Sequence, residues 1–304
     1  MPAALIAFIA IFVVGAVLRF FSFLTKAHAE RLASVVFSVS LPATILVSLD
    51  QASFAPMAWK LPLAACLVTL AMLLCSWQLS RLLRLSRQTR GGFLIATGCI
   101  NSVYFAYPVV LATFGDEGLA RAVLFDLGQT TLTLTVIYAL AVWHGASSSS
   151  ARSALIRFFS APPLWALAFI LLLKFFDLHL ASWLRALLIP LHLTTTPLAS
   201  LVLGLSISFD AVCRTWRLTA LAIVMRMGGG FLLGSVVVWL LNLTGLERTV
   251  VILVSAMPSA VTAVIFATET HLDEDLVASV VALSICLGVA VLPWLPQLAT
   301  TLLG

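Results

Sequence analysis

The sequence predicts an all-α integral membrane protein, and three observations carry that prediction. Of its 304 residues 62% are hydrophobic and only 10% are charged, against about 25% charged in soluble domains. Its mean hydropathy is +1.13. Apolar runs of roughly 20 residues, the length a helix needs to cross hydrocarbon, follow one another with short polar joints. That pattern leaves no room for a separate soluble domain.

The runs fall near residues 2–24, 32–49, 60–83, 91–114, 118–143, 162–176, 183–208, 218–242, 249–268 and 275–297, so ten transmembrane helices are expected. No basic stretch precedes the first run; Arg19, Lys26 and Arg31 follow it instead. It therefore reads as a retained span rather than a cleaved signal. The sixth run is short and opens with Pro162-Pro163, which suits a first helical turn. Trp59, Trp77, Trp143, Trp183 and Trp294 lie at the expected interfaces, where aromatic belts belong.

Spans four and nine are interrupted. Asn101-Ser-Val-Tyr-Phe-Ala-Tyr-Pro108 sits inside the fourth and Ser255-Ala-Met-Pro-Ser-Ala-Val-Thr262 inside the ninth. A proline removes one backbone hydrogen bond and pushes its neighbours out of helical geometry. Inside hydrocarbon the freed backbone costs several kcal/mol unless something satisfies it. Two interrupted spans at matching positions of two halves point to a transporter binding site.

The halves are divided by the polar joint 144–160, with its serine tract 147–150. This gives a first five-helix repeat over 1–145, a cytoplasmic linker over 146–160 and a second repeat over 161–304. Five spans per half means the halves enter the membrane from opposite sides, so their similarity would be an inverted repeat. Pro42-Ala-Thr-Ile-Leu-Val-Ser-Leu49 in span two resembles Pro197-Leu-Ala-Ser-Leu-Val-Leu-Gly204 in span seven. Basic residues set the orientation. Eleven, namely Arg19, Lys26, Arg31, Arg81, Arg84, Arg87, Arg90, Arg152, Arg157, Arg214 and Arg217, stand on one side; Lys60, Arg121, Lys174, Arg185 and Arg248 stand on the other. Both termini are then outside and the linker is cytoplasmic. The net charge of +5 reads as this bias rather than as a nucleic-acid surface.

The breaks carry the candidate chemistry. A half-helix beginning near Pro108 would expose orphan N–H groups and a positive dipole end to a carboxylate, and the stretch after Pro258 would mirror it. Asn101, Ser102, Tyr104 and Tyr107 would line one side of a polar cradle, and Ser255, Ser259 and Thr262 the other. The plainer reading is that these side chains only satisfy backbone freed by proline. Asp126 lies nine residues after Glu117, about 13 Å along a helix and close to mid-bilayer. An ionisable group at that depth suggests proton coupling, or else a neutralised structural acid. Gln129 shares its helix face. Arg226 in span eight has a stem long enough to snorkel to the interface; the alternative is a counter-ion for Asp126 or a substrate carboxylate. Gly228-Gly229-Gly230 beside it permits close helix approach. The five cysteines form no CxxC pair and the five histidines, His192 in span seven among them, no metal-ligand spacing, so neither metal nor cofactor is expected.

The run NSVYFAYPVVLATFGDEGL from Asn101 to Leu119, AMPSAVTAVIFATE from Ala256 to Glu269 and the span-seven stretch from Pro197 together resemble the auxin efflux carrier family. Thr262 stands where that family usually has Asn. The resemblance implies a ten-helix 5+5 inverted repeat in which spans four and nine cross at their broken centres. It implies secondary transport of mono- or dicarboxylates such as malonate, malate or auxin-like acids through the cytoplasmic membrane, one bundle rocking against the crossed helices. Such a carrier is no enzyme; its partners are a small organic acid and the bilayer, with a homodimer left open beside a monomer. A sodium-coupled symporter of the same fold and a sensor that binds a carboxylate without flux are the alternatives. Rings of charge that would suggest a channel are not visible.

Overall fold

The computed structural model describes residues 3–52, 58–145, 159–206 and 216–294; most of the expected linker lies outside them. Every regular element among the described residues is helical. In chain order these are α1 (Ala3–Phe20), α2 (Lys26–Val35), α3 (Leu41–Gln51), α4 (Lys60–Leu82), α5 (Arg87–Gly98), α6 (Tyr107–Leu132) and α7 (Tyr138–His144). There follow α8 (Pro162–Phe175), α9 (Ser182–Leu205), α10 (Trp216–Ile223), α11 (Gly230–Leu240), α12 (Gly245–Ser255), α13 (Val261–Thr270) and α14 (Glu274–Val291).

Wider π-helical turns join several of them: Val36–Ser40, Ser102–Ala106, Thr133–Ile137 and Val224–Gly229. Two of these end just ahead of a proline, Pro42 and Pro108. In the first, the Leu41 N–H bonds the carbonyl of Val36 five residues back. A widened turn shifts the bonding register before the residue that lacks a donor, which keeps a proline-containing helix continuous.

Seven continuous helical stretches among the described residues are long and apolar enough to cross a membrane, and Pro162–Phe175 and Val261–Thr270 are shorter apolar helices. The chain is thus an all-helical, multi-pass membrane protein. One stretch, Ser102–His144, has 43 residues. At 1.5 Å per residue it would measure about 65 Å, roughly twice the hydrocarbon thickness. It turns at Gly115, whose φ of 66° and ψ of −162° lie outside helical space; that left-handed φ favours glycine.

The chain forms two compact units, each assembled from separate segments. The first comprises Met1–Ala58, Val103–Val123 and Arg157–Ile207. In it α1 lies against α9 through small residues: a Cβ on Gly204 would sit 2.2 Å from the Phe12 carbonyl oxygen, and Ser200 Oγ donates to Phe8 O at 2.5 Å. Small residues at a crossing let two membrane helices touch backbone to backbone. Phe8 meets Phe105 edge to face, centroids 5.7 Å apart.

The second unit comprises Trp59–Ser102, Leu124–Ile156 and Ser208–Gly304. At its centre is α5, buried continuously from Gly91 to Gly98. Ser86 caps it, accepting from the Thr89 N–H at 3.2 Å, which satisfies one donor of its first turn. α4, α7, α13 and α14 pack on it.

Candidate substrate site at two broken helices

α5 stops at Gly98 because Cys99 is extended, with φ −80° and ψ 118°. α12 stops at Ser255, and α13 starts only at Val261, entered from an extended Ala260 with φ −78° and ψ 144°. The two non-helical stretches pair as an antiparallel bridge between Ile100 and Ser259. Asn101 N–H donates to Pro258 O at 2.9 Å, and Ala260 N–H to Cys99 O at 3.1 Å. The Asn101 side-chain amide adds a bond to Ser259 O at 3.4 Å. Each break thereby satisfies part of the other.

The second half-helix of span four does not begin near Pro108, as the position of the proline suggests. The first break lies over residues 99–101, and helical bonding resumes at Ser102 in the π turn that carries the chain past Pro108. Pro258 does lie inside its break. Pro108 is the seventh residue of the helical run that starts at Ser102, and the π turn ahead of it takes up its missing N–H.

A helix end buried in a membrane must find partners for its last carbonyls. At the end of α5 four consecutive ones are met from elsewhere in the second unit. Ala96 O accepts from Ser259 Oγ at 2.6 Å, Thr97 O from Arg226 Nη1 at 2.7 Å, Gly98 O from Gln129 Nε2 at 3.1 Å, and Cys99 O from the Ala260 N–H. Arg226 also donates through Nη2 to Ser255 O, the last residue of α12. One guanidinium therefore holds the carboxyl-terminal, negative ends of both interrupted helices.

Arg226 does not snorkel: it is fully buried, at 0% exposure. The π turn Val224–Gly229 presents it, and Gly230 next to it makes room. A Cβ on Gly230 would lie 2.0 Å from Ser255 O and 2.7 Å from Arg226 Nη2, so the close approach of α11 to the end of α12 requires glycine there. Gln129 is buried and oriented from both sides, accepting from Thr69 Oγ1 and donating to Thr133 Oγ1 at 3.2 Å as well as to Gly98 O.

The amino-terminal end is arranged differently. No side chain caps α13, and Thr262 stands half-buried in its first turn. The Ser259 N–H just ahead is taken by Ser284 Oγ at 3.1 Å. Ser102 Oγ, Ser255 Oγ and Arg226 Nε are buried with no hydrogen-bond partner among the described residues. The negative dipole ends are neutralised by a cation and by donors, while no side chain caps the positive end of α13.

Asn101, Ser102, Pro258, Ser259, Gln129 and Arg226 thus gather in the second unit, with Thr262 following on α13. Tyr104, Tyr107 and Pro108 belong to the first unit. There the Tyr104 hydroxyl donates to Ala33 O on α2 at 3.2 Å, and Tyr107 is buried. Asp126 is half-buried and accepts from Thr130 Oγ1 at 3.2 Å. Sequence reasoning missed Thr69 and Ser284. A lone hydroxyl in an apolar run is their only mark, and many such hydroxyls bond nothing beyond their own helix.

An uncharacterised transporter of Methanocaldococcus jannaschii is 29% identical over 277 residues, covering 88% of each chain. An uncharacterised transporter of Methanothermobacter thermautotrophicus is 27% identical over 281 residues, covering 92% of each. The profile of the membrane transport protein family matches residues 2–295. With that match spanning nearly its whole length, the chain belongs to the membrane transport protein family, the auxin efflux carriers.

Proposed function

We propose that this protein is a secondary carrier of small organic anions, working by alternating access in the cytoplasmic membrane. It would be a ten-span 5+5 inverted repeat with both termini outside, and its substrate would bind where spans four and nine break. Asn101, Ser102, Ser259 and Thr262 would contact the substrate carboxylate, with Pro258 shaping its break and Tyr104, Tyr107 and Pro108 following the break of span four.

The observation that carries this reading is the difference between the two kinds of helix end. The carbonyl ends of α5 and α12 are occupied by Arg226, Gln129, Ser259 and the Ala260 N–H, whereas the amino end of α13 has no side-chain cap. An uncapped helix amino end favours an anion. The same carbonyls already accept a hydrogen bond each, which weakens them as ligands for a coupled sodium ion. Coupling to protons through Asp126, or transport driven by membrane potential, fits better.

Flux into proteoliposomes tests it, with malonate, malate, short monocarboxylates and indole-3-acetate as substrates and Asn101→Ala as the control. Flux that falls at least tenfold in the folded variant supports a carrier with its site at the break. Tight binding without flux would replace the carrier by a sensor. A sodium gradient that drives accumulation where a pH gradient does not would overturn the coupling.

A further inference from the structure

A second group of polar side chains lies wholly within the first unit, on elements that none of the reasoning above uses. Asp116 stands directly after the Gly115 turn. His192 lies on α9 between Pro190 and Pro197 and is only 7% exposed. Its Nε2 is 3.7 Å from Asp116 Oδ1, and Ser48 Oγ of α3 donates to the same oxygen at 2.6 Å. On the other side of the ring, Nδ1 is 3.3 Å from Thr44 Oγ1.

We propose that Asp116 and His192 form a proton-binding site, the protonated imidazole paired with the Asp116 carboxylate.

The hydrogen count around the ring carries the inference. Thr44 Oγ1 lies 2.9 Å from Ser40 O and 2.6 Å from Thr195 Oγ1, and Thr195 Oγ1 lies 3.0 Å from the same Ser40 O. With the contacts of His192 to Thr44 and to Asp116 this makes five close polar contacts, for which the two threonines and a neutral ring supply three hydrogens. Ser40 O and the Asp116 carboxylate are pure acceptors. A second ring proton supplies a fourth hydrogen and turns the contact with Asp116 into a charge-assisted pair.

Other charges around α9 are engaged or distant. Asp50 on α3 accepts from the Leu180 N–H at 2.9 Å and lies 3.4 Å from His179. Glu117 pairs with Arg121, and Lys174 on α8 donates to Ala52 O. Arg185 is seven residues before His192 on the same helix, about 10 Å along it. Of the further elements packed on α9, α1 carries only Arg19 in its last turn, and α2 carries Lys26, His28, Glu30 and Arg31.

The proton binds α9 to the turn after Gly115 within one unit. A role in coupling rests on the carrier reading, but the site itself does not.

The test is nitrogen-15 NMR of the full-length protein, histidine-labelled and in lipid nanodiscs, titrated from pH 4.5 to 8.5, with His192→Gln assigning the resonance. His192 is expected to gain its proton within that range. Asp116→Asn should weaken proton binding at least about tenfold, moving the midpoint down by one pH unit or more, with the other histidines unmoved. A ring that stays neutral down to pH 4.5, or a midpoint that Asp116→Asn leaves in place, overturns the proposal. Flux at fixed pH tests the carrier separately: flux without the midpoint shift removes this site alone, and the shift without flux removes the carrier alone.

Discussion

Arg226 Nη1 donates to the carbonyl of Thr97 at 2.7 Å, across 129 residues of sequence, and its other terminal nitrogen holds the end of a second helix. Replacing it with methionine keeps the bulk and removes both donors, leaving Thr97 O and Ser255 O buried and unpaired. Each stranded carbonyl costs about 1–3 kcal/mol. Arg226→Met should therefore destabilise by about 3 kcal/mol, read as a lower unfolding midpoint in detergent. Arg226→Lys should fall between, because an ammonium is a compact point charge without the planar fork that reaches two acceptors at once.

Two glycines of one run should respond in opposite ways. Gly228 has open space around a built Cβ, whereas one on Gly230 would lie 2.0 Å from Ser255 O. Gly228→Ala should be neutral or stabilise by about 0.5–1 kcal/mol through lower unfolded-state entropy. Gly230→Ala must push α11 from the end of α12, at a cost of about 1–3 kcal/mol or more. Equal unfolding midpoints for the two variants would refute the close approach.

Gln129 offers a test in which polarity matters more than size. Gln129→Leu removes the donor to Gly98 O and the acceptor for Thr69, and should cost about 1–3 kcal/mol. Gln129→Glu keeps an acceptor for Thr69 but turns a carboxylate oxygen toward Gly98 O. Ionised, it should be the more harmful of the two, with the difference narrowing as pH falls. Stability measured at pH 5 and pH 8 checks both the order and the narrowing.

Asp126→Asn should abolish pH-dependent uptake while leaving substrate exchange intact. Proton-driven uptake in this variant equal to the wild type would remove Asp126 from the coupling step.

The sequence showed what repeats along one chain and hid what only meets across it. Apolar runs announced an all-helical membrane protein, and Pro258 marked its break correctly because it lies within it. Pro108 misled about position, since a π turn absorbs the missing donor and the helix stops at Gly98 instead. Gln129, three residues after Asp126, was grouped with it by helical spacing; its amide bonds instead reach Gly98, Thr69 and Thr133. Arg226 read as snorkelling because its depth was legible and its partners were not: Thr97 and Ser255 offer only backbone, which no residue letter reveals. Asp116 and His192 are 76 residues apart in sequence, and neither spacing nor motif joins them.

The antiparallel bridge between Ile100 and Ser259 has a consequence for leakage. Where two helices stop inside a bilayer, bare carbonyls would invite a file of water, and a file of water conducts protons. Here the carbonyls from Ala96 to Cys99 are each occupied by a donor from the protein itself. Each carbonyl so occupied is one anchor fewer for such a file where the two helices are interrupted.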